Sequence, residues 1–282
     1  MGADTRGLVG ERYPRVMSDL LIAAQLMKRD GLAATIDHAR TIALRRLHSA
    51  LIDRPMMNGL PHPLVRQHQL SGLTLRTSVA AESAAGAPCS PVPAKTLDWA
   101  IRGIGVDPTG WDFVDIGSGT GWALQVALGH AFRAFTGVEF AYEMHQKAEE
   151  NFRWLTAQGR TQDRPVHLRH ESALETELPS GPCVILLFCS FDERILRPFV
   201  QRIERSVADN PRPVIVLYVN ATNAGVFARP GIREVSLRRP YATLIRAISP
   251  YSVRAYRFGP VSLHDRLATL GRISGSGRGG GI

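Results

Sequence analysis

The run Asp115-Ile116-Gly117-Ser118-Gly119-Thr120-Gly121 follows the short stretch Trp111 to Val114 and precedes a helix-patterned segment, so it reads as a strand end, a glycine turn and a helix start. Glycine is needed where the backbone takes positive φ or must pass close to a ligand. Gly117, Gly119 and Gly121 supply both at alternating positions, with Ser118 between them. The acid ahead of the turn narrows the chemistry: a carboxylate at Asp115 repels a pyrophosphate and suits a ligand carrying ammonium and sulfonium cations. Spacing agrees, because the dinucleotide fingerprint G-x-G-x-x-G wants its third glycine where this chain has Trp122.

A second acid is expected at the end of the next strand, roughly 20 residues after the glycines, where it accepts hydrogen bonds from ribose hydroxyls. Glu139 closes the run Ala134 to Val138 and stands there, after a helix predicted from Trp122 to about His130. A ribose-gripping acid and an acid suited to a sulfonium together describe a site for S-adenosylmethionine (SAM). A glycine triad alone is a weak signal, whereas the triad with Asp115 and Glu139 on the correct elements is a strong one. The bland alternative is a glycine-rich turn bordered by surface acids.

These residues resemble the class I SAM-dependent methyltransferases, with the resemblance running from about Ser90 to about Phe258. The matching order is Asp-x-Gly-x-Gly-x-Gly, then Val138-Glu139, then an acid after the third strand, then an apolar fourth strand ending in a polar-aromatic corner. More narrowly, the chain is similar to a bacterial branch carrying Asn-Pro-Phe at that corner, but here Cys189-Ser190-Phe191 stands in its place. The resemblance implies that Asp115, Gly117, Ser118, Gly119, Gly121 and Glu139 bind the donor and that Glu171 faces the adenine amino group. A solvated loop carboxylate is an equal reading of Glu171. The asparagine and proline of such corners are thought to steer an amine, so their replacement puts the acceptor step in question.

The elements that must position these groups alternate as strand and helix, which predicts an α/β fold with a doubly wound, mostly parallel sheet. After Glu139 come a helix from Tyr142 to Leu155, a strand from Pro165 to His170, and Pro182 to Phe188, a continuous apolar run suited to a strand buried on both faces. A helix over 192–208 and a strand over 213–220 follow. Ile232 to Leu237 and Ser252 to Phe258 read as the antiparallel pair that closes a seven-stranded sheet in the family, with Thr243 to Ile248 as a rival strand. The predicted organisation is a helical extension or cap over 1–77, a loop across the cofactor site over 78–94, a SAM-binding domain over 95–270 and a disordered Gly/Ser tail over 271–282. Within the extension, helices are expected from about Pro14 to Arg29 and from about Leu32 to Ile52, broken at Gly31.

The net charge of +9 is unevenly distributed. Lys plus Arg minus Asp plus Glu gives 12 − 7 for residues 1–97, 7 − 12 for 98–190 and 15 − 6 for 191–282. The basic flanks are compatible with nucleic acid, but only three of the cations are lysines, so an arginine-rich compositional habit is the stronger reading. A protein or small-molecule acceptor is favoured. No apolar run approaches the ~18 residues of a membrane span, and a cytoplasmic location is the default. Cys89, Cys183 and Cys189 have neither disulfide-framework nor zinc-site spacing. His145, His167 and His170 read as structural imidazoles, and no metal site is expected.

Methyl transfer from a sulfonium is an in-line displacement, so holding the reactants in line supplies much of the acceleration, about 7–11 kcal/mol. On that view the Phe188 carbonyl, the Ser190 hydroxyl and the Phe191 ring form the acceptor corner for a nitrogen nucleophile. An ordinary strand end with Phe191 in the core is an equal reading. The leading function is a SAM-dependent methyltransferase. A SAM-binding sensor or scaffold without catalysis is the alternative, and an NAD(P)-dependent oxidoreductase is a more distant third.

Overall fold

The computed structural model describes residues 91–188 and 191–260, together with scattered helical positions between Met27 and Leu47. Most of the expected N-terminal hairpin, nearly all of the loop over 78–94, and the tail lie outside the described residues. Seven strands form one sheet: β1 (Asp112–Ile116), β2 (Ala134–Glu139), β3 (Val166–His170), β4 (Cys183–Phe188), β5 (Val214–Val219), β6 (Arg233–Glu234) and β7 (Val253–Phe258). Their spatial order is β3-β2-β1-β4-β5-β7-β6, with β7 antiparallel to both neighbours and the other pairings parallel. The fold is therefore the doubly wound, Rossmann-like α/β sheet that the alternating pattern predicts.

The helices are α1 (Ala94–Ile104), α2 (Trp122–Ala127), α3 (Tyr142–Ala157), α4 (Glu193–Asp209) and α5 (Tyr241–Ile248). Every residue of β1 and β5 is buried, as strands covered on both faces must be. Strand alternation divides the core in two. Phe113, Phe135, Val184 and Leu186 pack with α1, α2, α5 and the apolar side of α3, whereas Val114, Val138, Ile185 and Leu187 pack with α4.

Most predicted boundaries move by a residue or two; three shifts bear on the site or the sheet edge, and the rival strand is a helix. Helix α2 stops at Ala127, three residues short of His130, because Leu128 to His130 turn back toward β2. The strand expected over Ile232 to Leu237 is regular only at Arg233–Glu234, although the Val235 N–H still donates to Ala255 O (2.8 Å). β1 runs on to Ile116 and so includes Asp115. Thr243 to Ile248 is helix, not strand: Tyr241, Leu244, Ile245 and Ile248 recur at helical spacing and give α5 a side that packs on α1. Among the described residues no helix is long and apolar enough to cross a membrane.

Candidate functional site

The site lies at the carboxyl ends of the parallel strands, where β1 has β2 on one side and β4 on the other. Successive connections leave β1 in opposite directions here, the switch point at which folds of this kind usually bind a ligand in a crevice. Gly117, Gly119 and Gly121 take φ of 78°, 54° and 84°, the left-handed region that disfavours any side chain. At Gly121 space is also closed, since a Cβ would stand 2.6 Å from Phe152 Cε2. Asn151, fully buried on α3, donates from Nδ2 to Thr120 O (2.9 Å) and braces the turn from beneath.

Four of the five amides of the turn over 117–121 are engaged. Gly117 and Ser118 N–H both donate to Val138 O (2.8 and 3.0 Å), and Gly121 N–H donates to Ser118 O (2.9 Å). Gly119 N–H donates to Glu139 Oε2 (2.7 Å), while Ala141 N–H donates to Oε1 (2.8 Å). Glu139 thus locks the end of β2 to the glycine turn and keeps lone pairs for further donors, since each carboxylate oxygen accepts about two hydrogen bonds.

Asp115 is buried at the end of β1, opposite Gly137 of β2. Burial, and then the charge of Glu139, pushes its carboxyl up to about 8. Burial also raises Glu139, against the opposing effect of its amide donors and of His170. An acid kept protonated by burial and by a neighbouring acid ionises readily only when positive charge comes to it.

Glu171 follows β3 directly. Its Oε1 is buried without a hydrogen bond, 3.5 Å from an Arg169 guanidinium nitrogen, an acceptor with capacity left for an amino group. The exposed ring of Phe140 lies between Glu139 and Tyr142 in sequence, and Phe140 O meets His170 Nε2 at 3.0 Å. His170 in turn packs on His145 and Tyr142, with ring centroids 5.4 and 5.3 Å apart. The three rings form a tilted cluster at the start of α3. Trp122 Nε1–H donates to Val92 O (2.8 Å), which holds the segment before α1 over the start of α2 and so beside the turn.

The acceptor corner is less fully drawn. Ser190, with Cys189, lies outside the described residues. Phe188 ends β4 with its ring edge-on to Tyr251, centroids 5.2 Å apart. Phe191 packs its ring, partly buried, against the α4 side of the core, and its carbonyl accepts from Asn223 Nδ2 (3.1 Å). The structure thus brings the residues expected to bind the donor together at the ends of β1, β2 and β3, and sets Phe191 against the core.

Sequence reasoning missed Asn151, Tyr251 and Asn223, and placed Phe152 on the apolar side of α3 without connecting it to the turn. Asn151 carried a signal: a polar residue in phase with the buried stripe Met144, Ala148, Phe152 and Leu155. Among the described residues no group of three or more His, Cys, Asp or Glu has the geometry to hold a metal ion.

No family model matches the chain, and no curated protein matches it in sequence. Solved structures do share its architecture. An Escherichia coli chain named only as a candidate methyltransferase, yhhF, is 14% identical, with a TM-score of 0.42, 62% of this chain and 90% of that one being covered. An RNA methyltransferase from Salinibacter ruber, solved with S-adenosyl-L-homocysteine, is 19% identical, with a TM-score of 0.38 and coverage of 62% and 97%. A protein of the NADB-Rossmann superfamily from Streptococcus agalactiae is 13% identical, with a TM-score of 0.39 and coverage of 61% and 73%. At such scores the neighbours carry no weight for function, which rests on the site's own residues.

Proposed function

We propose that this chain is a SAM-dependent methyltransferase acting on a nitrogen nucleophile. The observation that carries the reading is a glycine turn whose amides at Gly117, Ser118, Gly119 and Gly121 all have acceptors within the protein, beside the buried Asp115 and the partly buried Glu139. A dinucleotide site needs free N–H groups aimed at phosphate. Here the same turn presents carboxylate oxygens instead, and a cationic ligand is what they fit.

In this reading Glu139 accepts from the ribose hydroxyls, Asp115 neutralises the ammonium end, and Glu171 accepts from the adenine amino group with Phe140 against the base. Bound SAM supplies an electrophilic methyl on a sulfonium. The protein holds the donor on the β1–β2 side of the crevice and leaves the end of β4 for the nucleophile. There Phe188 O and the Ser190 hydroxyl direct a lone pair at the methyl, with the Phe191 backbone fixed by Asn223. The packing of the Phe191 ring favours one second reading, a SAM-binding sensor or scaffold that does not turn over.

Equilibrium dialysis with methyl-labelled SAM tests the site: the wild type retains label, whereas Asp115→Ala and Gly119→Arg do not. Full affinity in both variants overturns the assignment. Incubating the wild type and labelled SAM with cell extract then separates enzyme from sensor, since a sensor binds donor and yields no labelled product.

A further inference from the structure

The outer face formed by α1, α5 and the β6 edge is cationic to a degree that the rest of the domain is not. Residues 235–260 contain five arginines and no aspartate or glutamate; of the five, Arg257 is buried and Arg254 pairs with Glu234 of β6 (3.4 Å), which leaves Arg238, Arg239 and Arg246. Arg233, Arg238, Arg239 and Arg246 are exposed, and none forms an ion pair with a described carboxylate. Arg238 lies across Gly105, where a Cβ would stand 2.0 Å from its Nε, so its guanidinium sits at the end of α1. On α1 itself, Lys95, Trp99 and Arg102 follow one another at i, i+4 and i+7, a single stripe on the partly exposed side. The one acid of that helix, Asp98, is buried and already bound by Lys95 (3.3 Å) and Arg102 (2.9 Å).

We infer that this face is a docking surface for the phosphodiester backbone of a nucleic acid, laid along α5 toward the crevice. Arginine dominates, and its planar fork pairs with phosphate oxygens two at a time. A membrane surface fits poorly: no large exposed apolar side chain belongs to α1, α5 or β6, which leaves these elements nothing of that kind to enter a bilayer. Direction is built in, because α5 ends just before Tyr251, whose ring packs on Phe188 at the end of β4. A strand held on the arginines therefore runs to the corner where the nucleophile is required. Delivery of a methyl acceptor rests on the donor reading, whereas binding to the face does not.

Fluorescence anisotropy with labelled 20-nucleotide RNA, single-stranded DNA and duplex DNA tests the surface, across a salt series. The wild type is expected to bind at least one polymer, with affinity falling as salt rises. The triple variant Arg238→Gln, Arg239→Gln, Arg246→Gln is expected to lose on the order of 10-fold in affinity and to flatten the log–log salt slope by about 2, at ~0.7 per phosphate contact for a single strand. The polymer bound most tightly names the source of the phosphates. If the triple variant fails to fold, the pair Arg239→Gln, Arg246→Gln is read instead, with a slope change of about 1.4. Wild-type and variant slopes that coincide overturn the inference, as does an absence of binding to all three polymers at low salt. Capture by phosphatidylserine vesicles without nucleic-acid binding overturns it in favour of a membrane. Donor dialysis on the same samples keeps the two questions apart: a variant that has lost nucleic acid but still binds SAM fails only at this face.

Discussion

The two ends of the crevice are built by different means. The end proposed for the donor is local in the chain: Asp115 and Glu139 lie on β1 and β2, the glycine turn and Glu171 directly follow β1 and β3, and backbone amides tie the turn to Val138 O and Glu139. The end proposed for the acceptor is assembled from distant segments, with Phe188 of β4 meeting Tyr251 before β7 and the Phe191 carbonyl held by Asn223 after β5. Charge differs as well, two crowded carboxylates at one end against rings and a single amide at the other. A pocket made from strand ends and obligatory glycines has few ways to vary, whereas a corner made from loop contacts can be refitted to a different acceptor without disturbing the donor.

If that contrast is right, the largest effect of a single methyl group falls on the donor end. Gly121→Ala places a Cβ 2.6 Å from Phe152 Cε2 at a residue with φ of 84°. Backbone strain and overpacking each cost about 1–3 kcal/mol. Lower thermal stability is expected, with donor affinity reduced at least ~10-fold as the turn moves off Glu139, read by melting and by dialysis. A variant that melts lower and still binds SAM normally separates the turn from the donor and breaks the comparison.

Asp115→Asn sharpens it, because stability and binding should move in opposite directions. With its carboxyl raised from 3.8 to about 8, Asp115 contributes stability that is fully present below 3.8 and lost as pH rises through about 8. The unliganded wild type should therefore melt progressively lower across that window, and donor affinity should strengthen as Asp115 ionises. Asparagine removes both dependences. Its melting temperature at pH 8 should exceed that of the wild type, while donor affinity falls about 10- to 100-fold, the worth of one hydrogen bond to a charged group. Melting curves and dialysis at pH 6, 7, 8 and 9 decide it. Pronounced wild-type pH dependence surviving in the variant removes Asp115 from the binding role.

The same contrast explains what could be read from the chain beforehand. Asp115, Glu139 and the three glycines were legible because their requirement is on the backbone: positive φ at fixed spacing, and an acid where a strand stops. The strand ladder was legible because β4 and β5 are continuous apolar runs. Thr243 to Ile248 was ambiguous, since β-branched Thr243, Ile245 and Ile248 suit a strand, and only packing against α1 selects the helix. Tyr251 and Asn223 carried no local mark. Their partners lie 63 and 32 positions earlier, at Phe188 and Phe191, so no pattern within a helix or a strand connects them.

The smallest expected effect is at the acceptor end and is purely kinetic. Asn223 is the clip between the loops after β4 and β5: its side-chain amide donates to Phe191 O, and its backbone N–H points at Tyr218 Oη (3.4 Å). Asn223→Ala removes the first contact and keeps the second. One neutral hydrogen bond contributes about 0.5–1.5 kcal/mol, so a corner released from β5 should lower kcat by roughly 2- to 10-fold. Donor affinity should stay unchanged, because nothing at Asn223 touches the glycine turn or the acids of β1 and β2. Single-turnover assays beside dialysis give both numbers from one preparation. A drop in donor affinity equal to the drop in kcat means that the two ends are coupled through the sheet, and the independence of donor pocket and acceptor corner fails with it.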